Sequence, residues 1–131
     1  MNVKNQFPAK FLKDKNNISI DFDGVIHNSN KGFHDGTCYG KPIPGAIDAI
    51  KILSKKYKII IFTAKAKSDR PLINGKTGTE HVRQWLIKYN LLEYISEITS
   101  EKPRACLYID DNALRFESWN KTIEFIEENS L

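Results

Sequence analysis

The feature that most constrains this fold is an alternation between short apolar runs and segments with helical spacing. The runs are typical of buried strands, whereas the segments between them place apolar residues three and four positions apart. Strands that alternate with helices predict a parallel sheet, and right-handed crossovers limit the topology to a Rossmann-like three-layer α/β/α domain. The predicted strands are 18–22, 58–62, 94–98 and 105–109, and the predicted helices are 45–56, 79–90, 113–118 and 121–128.

We interpret the chain as one domain, because 131 residues suit a single core. Three segments of this domain lie outside the predicted strands and helices. Residues 1–16 are polar and rich in lysine, which predicts a lead-in arm. Residues 25–44 contain three glycines and two prolines, and therefore predict an irregular flap. Residues 64–78 predict a basic loop that contains glycine.

Composition excludes several classes of protein. With 40% hydrophobic and 27% charged residues the chain is typical of globular proteins, and its longest apolar runs fall far short of the ~20 residues of a membrane span. The N-terminus lacks the pattern of a signal peptide, so we expect a cytoplasmic protein in which Cys38 and Cys106 are reduced. The net charge of +4 is too small to indicate a nucleic-acid binder by itself.

Polar side chains follow three of the four predicted strands, at the edge where parallel sheets bind ligands. Asp21 and Asp23 lie at the end of the first strand, where residues two apart project from the same face of the sheet. Thr63 follows the second strand, and Asp110 and Asp111 end the last. Taken one at a time, these residues also have structural explanations: the Thr63 hydroxyl can hydrogen-bond within a turn, and Asp111 can cap a helix. Together, converging carboxylates repel one another unless a cation lies between them. Oxygen ligands without paired histidine or cysteine favour Mg²⁺ over Zn²⁺.

Four segments resemble the haloacid dehalogenase superfamily of phosphohydrolases. They are DFDGVIH, IIIFTA, Lys102-Pro103 and LYIDDN, which occur in the order of that family and span most of the chain, residues 18–112. Members often carry a cap domain, for which the 25–44 flap is too short, so the resemblance implies a small capless member with an open site. It also implies a Mg²⁺-dependent phosphatase that forms an aspartyl-phosphate.

The resemblance assigns roles residue by residue. Asp21 matches the nucleophile, and Asp23 matches a general acid and base whose main-chain carbonyl also binds Mg²⁺. These roles suit phosphoryl transfer, which needs a fixed geometry and neutralised charge more than covalent chemistry from the protein. The resemblance further assigns phosphate binding to Thr63, Ala64 and Lys102, and metal binding to Asp21, Asp23 and Asp110, with Asp111 as the neighbour that supports Asp110.

The phosphate-binding lysine remains open between two positions. Seven residues separate Lys102 from Asp110, so a full strand over 105–109 places Lys102 at the wrong end of that strand, ~17 Å or more from the site. Its role requires a very short strand and a preceding loop that stays at the active edge. Lys65, two residues after Thr63, is the alternative.

The expected substrate is a phosphorylated small molecule or a nucleotide, and a nucleic-acid end is the further alternative. Aromatic residues of the flap and cations of the basic loop suit stacking on a base. A small apolar cluster in the flap and a solvated loop are the simpler explanation of the same residues. The residues concerned are Phe33, His34 and Tyr39 in the flap and Lys65, Lys67, Arg70 and Lys76 in the loop.

Two other functions remain as alternatives. A signalling receiver shares the parallel sheet, the acidic residues, the threonine and the lysine, but its acidic pair precedes its phosphorylated aspartate, the reverse of the order here. A non-catalytic module that binds a metal or a phosphate is the second alternative. We exclude a P-loop at residues 75–77 because Arg70 occupies the position of its first glycine. The sequence argues against a zinc site at His27, His34 and Cys38, because a structural site takes four ligands at closer spacing. His27 is expected to line the flap, and Trp85 to lie in the core.

Overall fold

A computed structural model describes residues 16–110 and 114–128, without the side chains of 114 and 115. The predicted arm lies outside these residues apart from residue 16, and so does Asp111. Within the described part, parallel strands form one sheet with the order β3-β2-β1-β4-β5. The strands are β1 Asn17–Asp21, β2 Lys58–Phe62, β3 Ile95–Thr99, β4 Leu107–Asp110 and β5 Leu114–Arg115, and the α-helices are α1 Ala46–Ser54, α2 Gly78–Lys88 and α3 Trp119–Glu128.

The prediction of a small single-domain α/β fold with a parallel sheet is confirmed. Ile20 and Ile61, on paired positions of β1 and β2, are fully buried. Ser19 and Ile60, which face the other side of the sheet, are also buried. Both faces of the central strands are therefore covered, which explains why β2 is a continuous apolar run rather than an alternating one.

Helices α1 and α2 belong to two successive crossovers that step across the sheet in one direction, from β1 to β2 and from β2 to β3. Right-handed crossovers that step the same way place both helices on the same face. Trp85 of α2 confirms its prediction as a core residue, because it is buried and meets the Phe22 ring edge-on, with 5.1 Å between ring centroids. A capping box between Thr77 and Glu80 fixes the start of α2, one residue before the predicted start.

The prediction of a helix over 113–118 is wrong. Leu114 and Arg115 instead form strand β5, which pairs in parallel with Ile109 and Asp110. Six residues gain little from forming an isolated helix, whereas pairing satisfies backbone groups that β4 otherwise leaves exposed at its outer edge. The second closing helix is confirmed as α3, whose first residue Trp119 is buried and donates an indole hydrogen bond to the Val25 carbonyl at 3.0 Å.

No helix among the described residues is long and apolar enough to cross a membrane.

Candidate active site

Three strands bring acidic and hydroxyl side chains to one edge of the sheet. Asp21, the last residue of β1, is paired with Phe62, and Thr63 follows immediately. On the other side of β1, Ile20 is paired with Ile109, so Asp21 and Asp110 are the next residues along two neighbouring strands. Neighbouring strands lie about 4.8 Å apart, and residues in register point to the same side. The sheet therefore places Asp21 beside Asp110, as the sequence predicted.

The Asp23 carboxylate is held between two nitrogen donors. Its Oδ2 lies 3.0 Å from Nζ of Lys65, and its Oδ1 lies 2.8 Å from Nδ1 of His27. Both partners are buried, with 7% of Lys65 and none of His27 exposed, whereas Asp23 is only partly buried. The lysine and the histidine therefore fix the carboxylate from the protein side and leave part of it open to solvent.

The hydrogen bonds of His27 determine where its proton lies. The backbone N–H of Gly40 donates to Nε2 at 2.8 Å, so Nε2 carries no hydrogen. The ring proton is therefore on Nδ1, from which the neutral imidazole donates to Asp23. The sequence predicts that His27 lines the flap and does not predict this contact, although a histidine four residues after Asp23, beyond a glycine turn, is a signal that points to it.

The flap and the core together fix the orientation of His27. Its ring stacks on Phe22 with 5.1 Å between centroids and meets Trp85 edge-on at 5.6 Å. Gly40, which binds Nε2, also accepts a hydrogen bond from the Trp85 indole at 2.8 Å. A Cβ at position 40 would lie 1.9 Å from the carbonyl oxygen of Asn28, so only glycine lets the backbone approach this closely. Asp23 is thus connected through one imidazole to the flap and to α2.

Two opposing effects act on the pKa of Asp23. Burial raises it, but hydrogen bonds from His27 and from Lys65, together with the positive charge of Lys65, lower it by more. The net effect holds the pKa of Asp23 below its usual value, so the carboxyl group is ionised at neutral pH in the unliganded protein.

Thr63 starts the turn that directs Lys65 inward. Its Oγ accepts a hydrogen bond from the backbone N–H of Lys65 at 3.2 Å and caps a short 3₁₀ helix, Ala64–Ala66. Thr63 therefore has the turn role that its sequence position also allows. Accepting this bond uses one lone pair, so the hydroxyl hydrogen can still be donated. Ala64 is exposed and lines the cavity that Asp23 and Lys65 share.

Lys102 does not lie beside Asp23. Its ammonium is 4.7 Å from the centroid of the Tyr108 ring, two residues before the end of β4. Strand β4 is as short as a role for Lys102 requires, but the preceding loop does not stay at the active edge. The carbonyl of Arg104 already accepts a hydrogen bond from Asn17, at the opposite end of β1. Of the two candidate lysines, the structure brings Lys65 to Asp23.

The residues at the sheet edge fit a hard cation in part. A cavity of about 140 Å³ is lined by Asp21, Asp23, Gly24, Val25 and Phe116. Carboxylates of neighbouring strands and main-chain oxygens are the donors that Mg²⁺ prefers. Among residues 16–110 and 114–128, however, no group of three or more histidine, cysteine, aspartate or glutamate side chains is placed to hold an ion. The Asp23 carboxylate instead binds Lys65 and His27, which leaves Asp21, Asp110 and main-chain oxygens as the fitting donors.

Cys38 of the flap lies near enough to Lys65 and Asp23 to be influenced by their charges. Burial raises the pKa of Cys38 to about 12, with the Asp23 charge adding to the rise and Lys65 opposing it. At pH 8 roughly one thiol in ten thousand is then ionised, which makes Cys38 unsuited to act as a nucleophile.

We therefore expect Cys38 to resist alkylation in the folded protein. Iodoacetamide at pH 8 should modify it at least ~100-fold more slowly than in urea, because only the thiolate reacts. Peptide mass spectrometry of time points separates Cys38, which is half-buried, from Cys106, which is buried. Rapid modification of Cys38 in the native protein would show an activated thiol and contradict this assignment.

Comparison with family models, with curated proteins and with solved structures finds no match to this chain.

Proposed function

We propose that this protein is a Mg²⁺-dependent phosphomonoesterase that works through an aspartyl-phosphate on Asp21. One observation carries the proposal: Asp21 and Asp110 lie side by side at the carboxyl edge of the sheet, next to an Asp23 carboxylate held by buried Lys65. An acid pair, a hydroxyl and a buried cation at one edge suit the transfer of a phosphoryl group. The resemblance of the DFDG and IDD segments to the haloacid dehalogenase superfamily supports the same chemistry.

In the first step an oxygen of Asp21 forms a bond to phosphorus while the bond from phosphorus to the ester oxygen breaks. Asp23 gives a proton to the departing alcohol. A bound phosphoryl group attracts the Lys65 ammonium and so weakens the ion pair between Lys65 and Asp23. Asp23 can then take up the proton from solvent before the ester bond breaks. In the second step Asp23 accepts a proton from water, which attacks phosphorus and releases phosphate and Asp21.

Several groups in this proposal fix the geometry of the reaction. The Lys65 ammonium and the Thr63 hydroxyl bind the phosphoryl oxygens, and His27 holds the Asp23 carboxylate in place through Nδ1. Asp21, Asp110 and the main-chain carbonyl of Asp23 would hold Mg²⁺. A bound Mg²⁺ supplies neutralisation of the negative charge shared by the nucleophile and the phosphoryl group.

Removal of divalent cations tests this function. We expect EDTA to lower the turnover of p-nitrophenyl phosphate by about 100-fold, because charge neutralisation by the ion contributes several kcal/mol to the reaction. Added Mg²⁺ should restore the rate, while Ca²⁺, which tolerates a looser geometry, should restore less. Full activity after exhaustive treatment with EDTA would contradict the metal-dependent mechanism.

A further inference from the structure

A second feature of the site lies between the flap and the basic loop. A cavity of about 240 Å³ is lined at one end by Asp23, Ala64 and Lys65 of the candidate active site, and also by Phe33 of the flap and Arg70 of the loop. Asp23 also lines the cavity of Asp21, so a phosphate ester whose phosphoryl group lies between Asp21 and Lys65 has room for its alcohol beside Phe33 and Arg70. These two residues are candidates for recognition of the leaving group.

Phe33 remains exposed although the flap around it is ordered by hydrogen bonds. Its side chain is 56% exposed, whereas its carbonyl accepts a hydrogen bond from the N–H of Gly36 at 2.8 Å. The preceding turn closes between Ser29 and Gly32 at 2.8 Å, and the Tyr39 hydroxyl donates to the Gly32 carbonyl at 2.7 Å. An aromatic ring held on closed turns is a preorganised surface, and preorganisation lowers the entropic cost of binding.

Close packing beneath the ring connects the flap to the basic loop. Gly36 has φ +79°, and a Cβ there would lie 2.3 Å from Cδ1 of Ile73 and 3.0 Å from Cζ of Phe33. The backbone of residue 36 is thus in contact with both side chains. The ring of His81 in α2 donates a hydrogen bond to the Ile73 carbonyl at 2.7 Å, and this bond anchors the basic loop to α2. Phe33 therefore has a fixed position relative to the candidate active site.

Two cations lie close to the exposed ring of Phe33. Nζ of Lys65 lies 5.8 Å, and Cζ of Arg70 5.7 Å, from the centroid of Phe33. The guanidinium of Arg70 is planar and stacks on aromatic faces, while Lys65 is already directed to Asp23. An aromatic face and a planar cation at one cavity suit a flat ring with π-electrons, and the positive charge suits the phosphate that such a ring carries.

We propose that the alcohol released by this enzyme bears a planar heteroaromatic ring, as a nucleoside does, and that Phe33 and Arg70 form the subsite for that ring. This inference rests on the proposed phosphomonoesterase function. A base at the end of a nucleic-acid strand offers the same chemistry as a free nucleotide, so the test includes both sources.

The test compares substrates that share one reacting bond. Ribose 5-phosphate and adenosine 5′-monophosphate both release a primary alcohol, so their ratio of kcat/KM reports the base alone. We expect the nucleotide to be favoured about tenfold or more, as stacking on one aromatic residue provides. Phe33→Leu keeps an apolar side chain without an aromatic face, and should bring the ratio near one. Leu72→Ala removes an exposed apolar side chain of the basic loop, two residues after Arg70 and outside the cavity lining, and should leave the ratio unchanged.

The outcomes separate this inference from the function on which it rests. A ratio near one in the wild type, or a ratio that Phe33→Leu leaves intact, overturns the subsite while hydrolysis of p-nitrophenyl phosphate sustains the function. If no ester is hydrolysed, the function fails, and titration calorimetry of the same compounds on wild type and Phe33→Leu decides the subsite by the same ratio of affinities. A 5′-phosphorylated trinucleotide that outpaces the mononucleotide supports the strand end as the source of the base, and the reverse order supports the free nucleotide.

Discussion

Replacement of Asp21 by asparagine is expected to lower kcat/KM for p-nitrophenyl phosphate by about 10,000-fold or more, because the amide is too poor a nucleophile to form the acyl phosphate. The substitution keeps the size of the side chain, and Asp21 is only partly buried at the end of β1. We therefore expect the circular dichroism spectrum and the cooperative unfolding transition to be retained. Steady-state kinetics on the purified variant provide the measurement.

The matched control for this variant is Asp48→Asn. Asp48 is exposed in the first turn of α1, so the same chemical change there should leave kcat/KM within about twofold of wild type. A folded Asp21→Asn protein with wild-type activity would show that another group attacks the phosphorus. That result would remove the proposed mechanism altogether.

The second large effect concerns the lysine. Lys65→Gln should lower kcat/KM by about 1,000-fold, since it removes the buried cation beside Asp23 that the proposed mechanism uses to bind the phosphoryl group. Lys102→Gln should cost at most about tenfold, because the Lys102 ammonium lies over the Tyr108 ring. Parallel kinetics of the two variants, each checked for folding, measure the difference directly.

Lys67→Gln is the control within the same loop, because Lys67 is exposed and lies just beyond the turn that carries Lys65. Its activity should equal that of wild type. A larger loss in Lys102→Gln than in Lys65→Gln would reverse the assignment and favour the lysine that the family resemblance implies.

The sequence was sufficient to predict those features that depend on local pattern. Strand β2 follows from its continuous apolar run, and the positions of Asp21 and Thr63 follow because parallel strands end at a common edge. Strand β5 was mistaken for a helix because its stability comes from pairing with β4, a contact that no local pattern of residues 113–118 encodes.

The partners of Asp23 depend on tertiary contacts, and so they were harder to predict. Lys65 turns inward because Thr63 caps a single 3₁₀ turn, which the short sequence between them does not distinguish from a solvated loop. The role of His27 requires the backbone of Gly40, thirteen residues later, to approach its Nε2. A hydrogen bond of that kind is specified by the packing of the flap against Trp85 rather than by any spacing in the sequence.

Trapping of the covalent intermediate is the most decisive test of catalysis through Asp21. Protein that is mixed with a phosphate ester, quenched in acid within the first seconds and reduced with borohydride should contain homoserine at position 21, since borohydride converts an acyl phosphate to the alcohol. We expect this change in the tryptic peptide that contains DFDG, and we expect no change there without substrate or in Asp21→Asn. Sustained turnover with a phosphoryl group trapped on any other residue would contradict it.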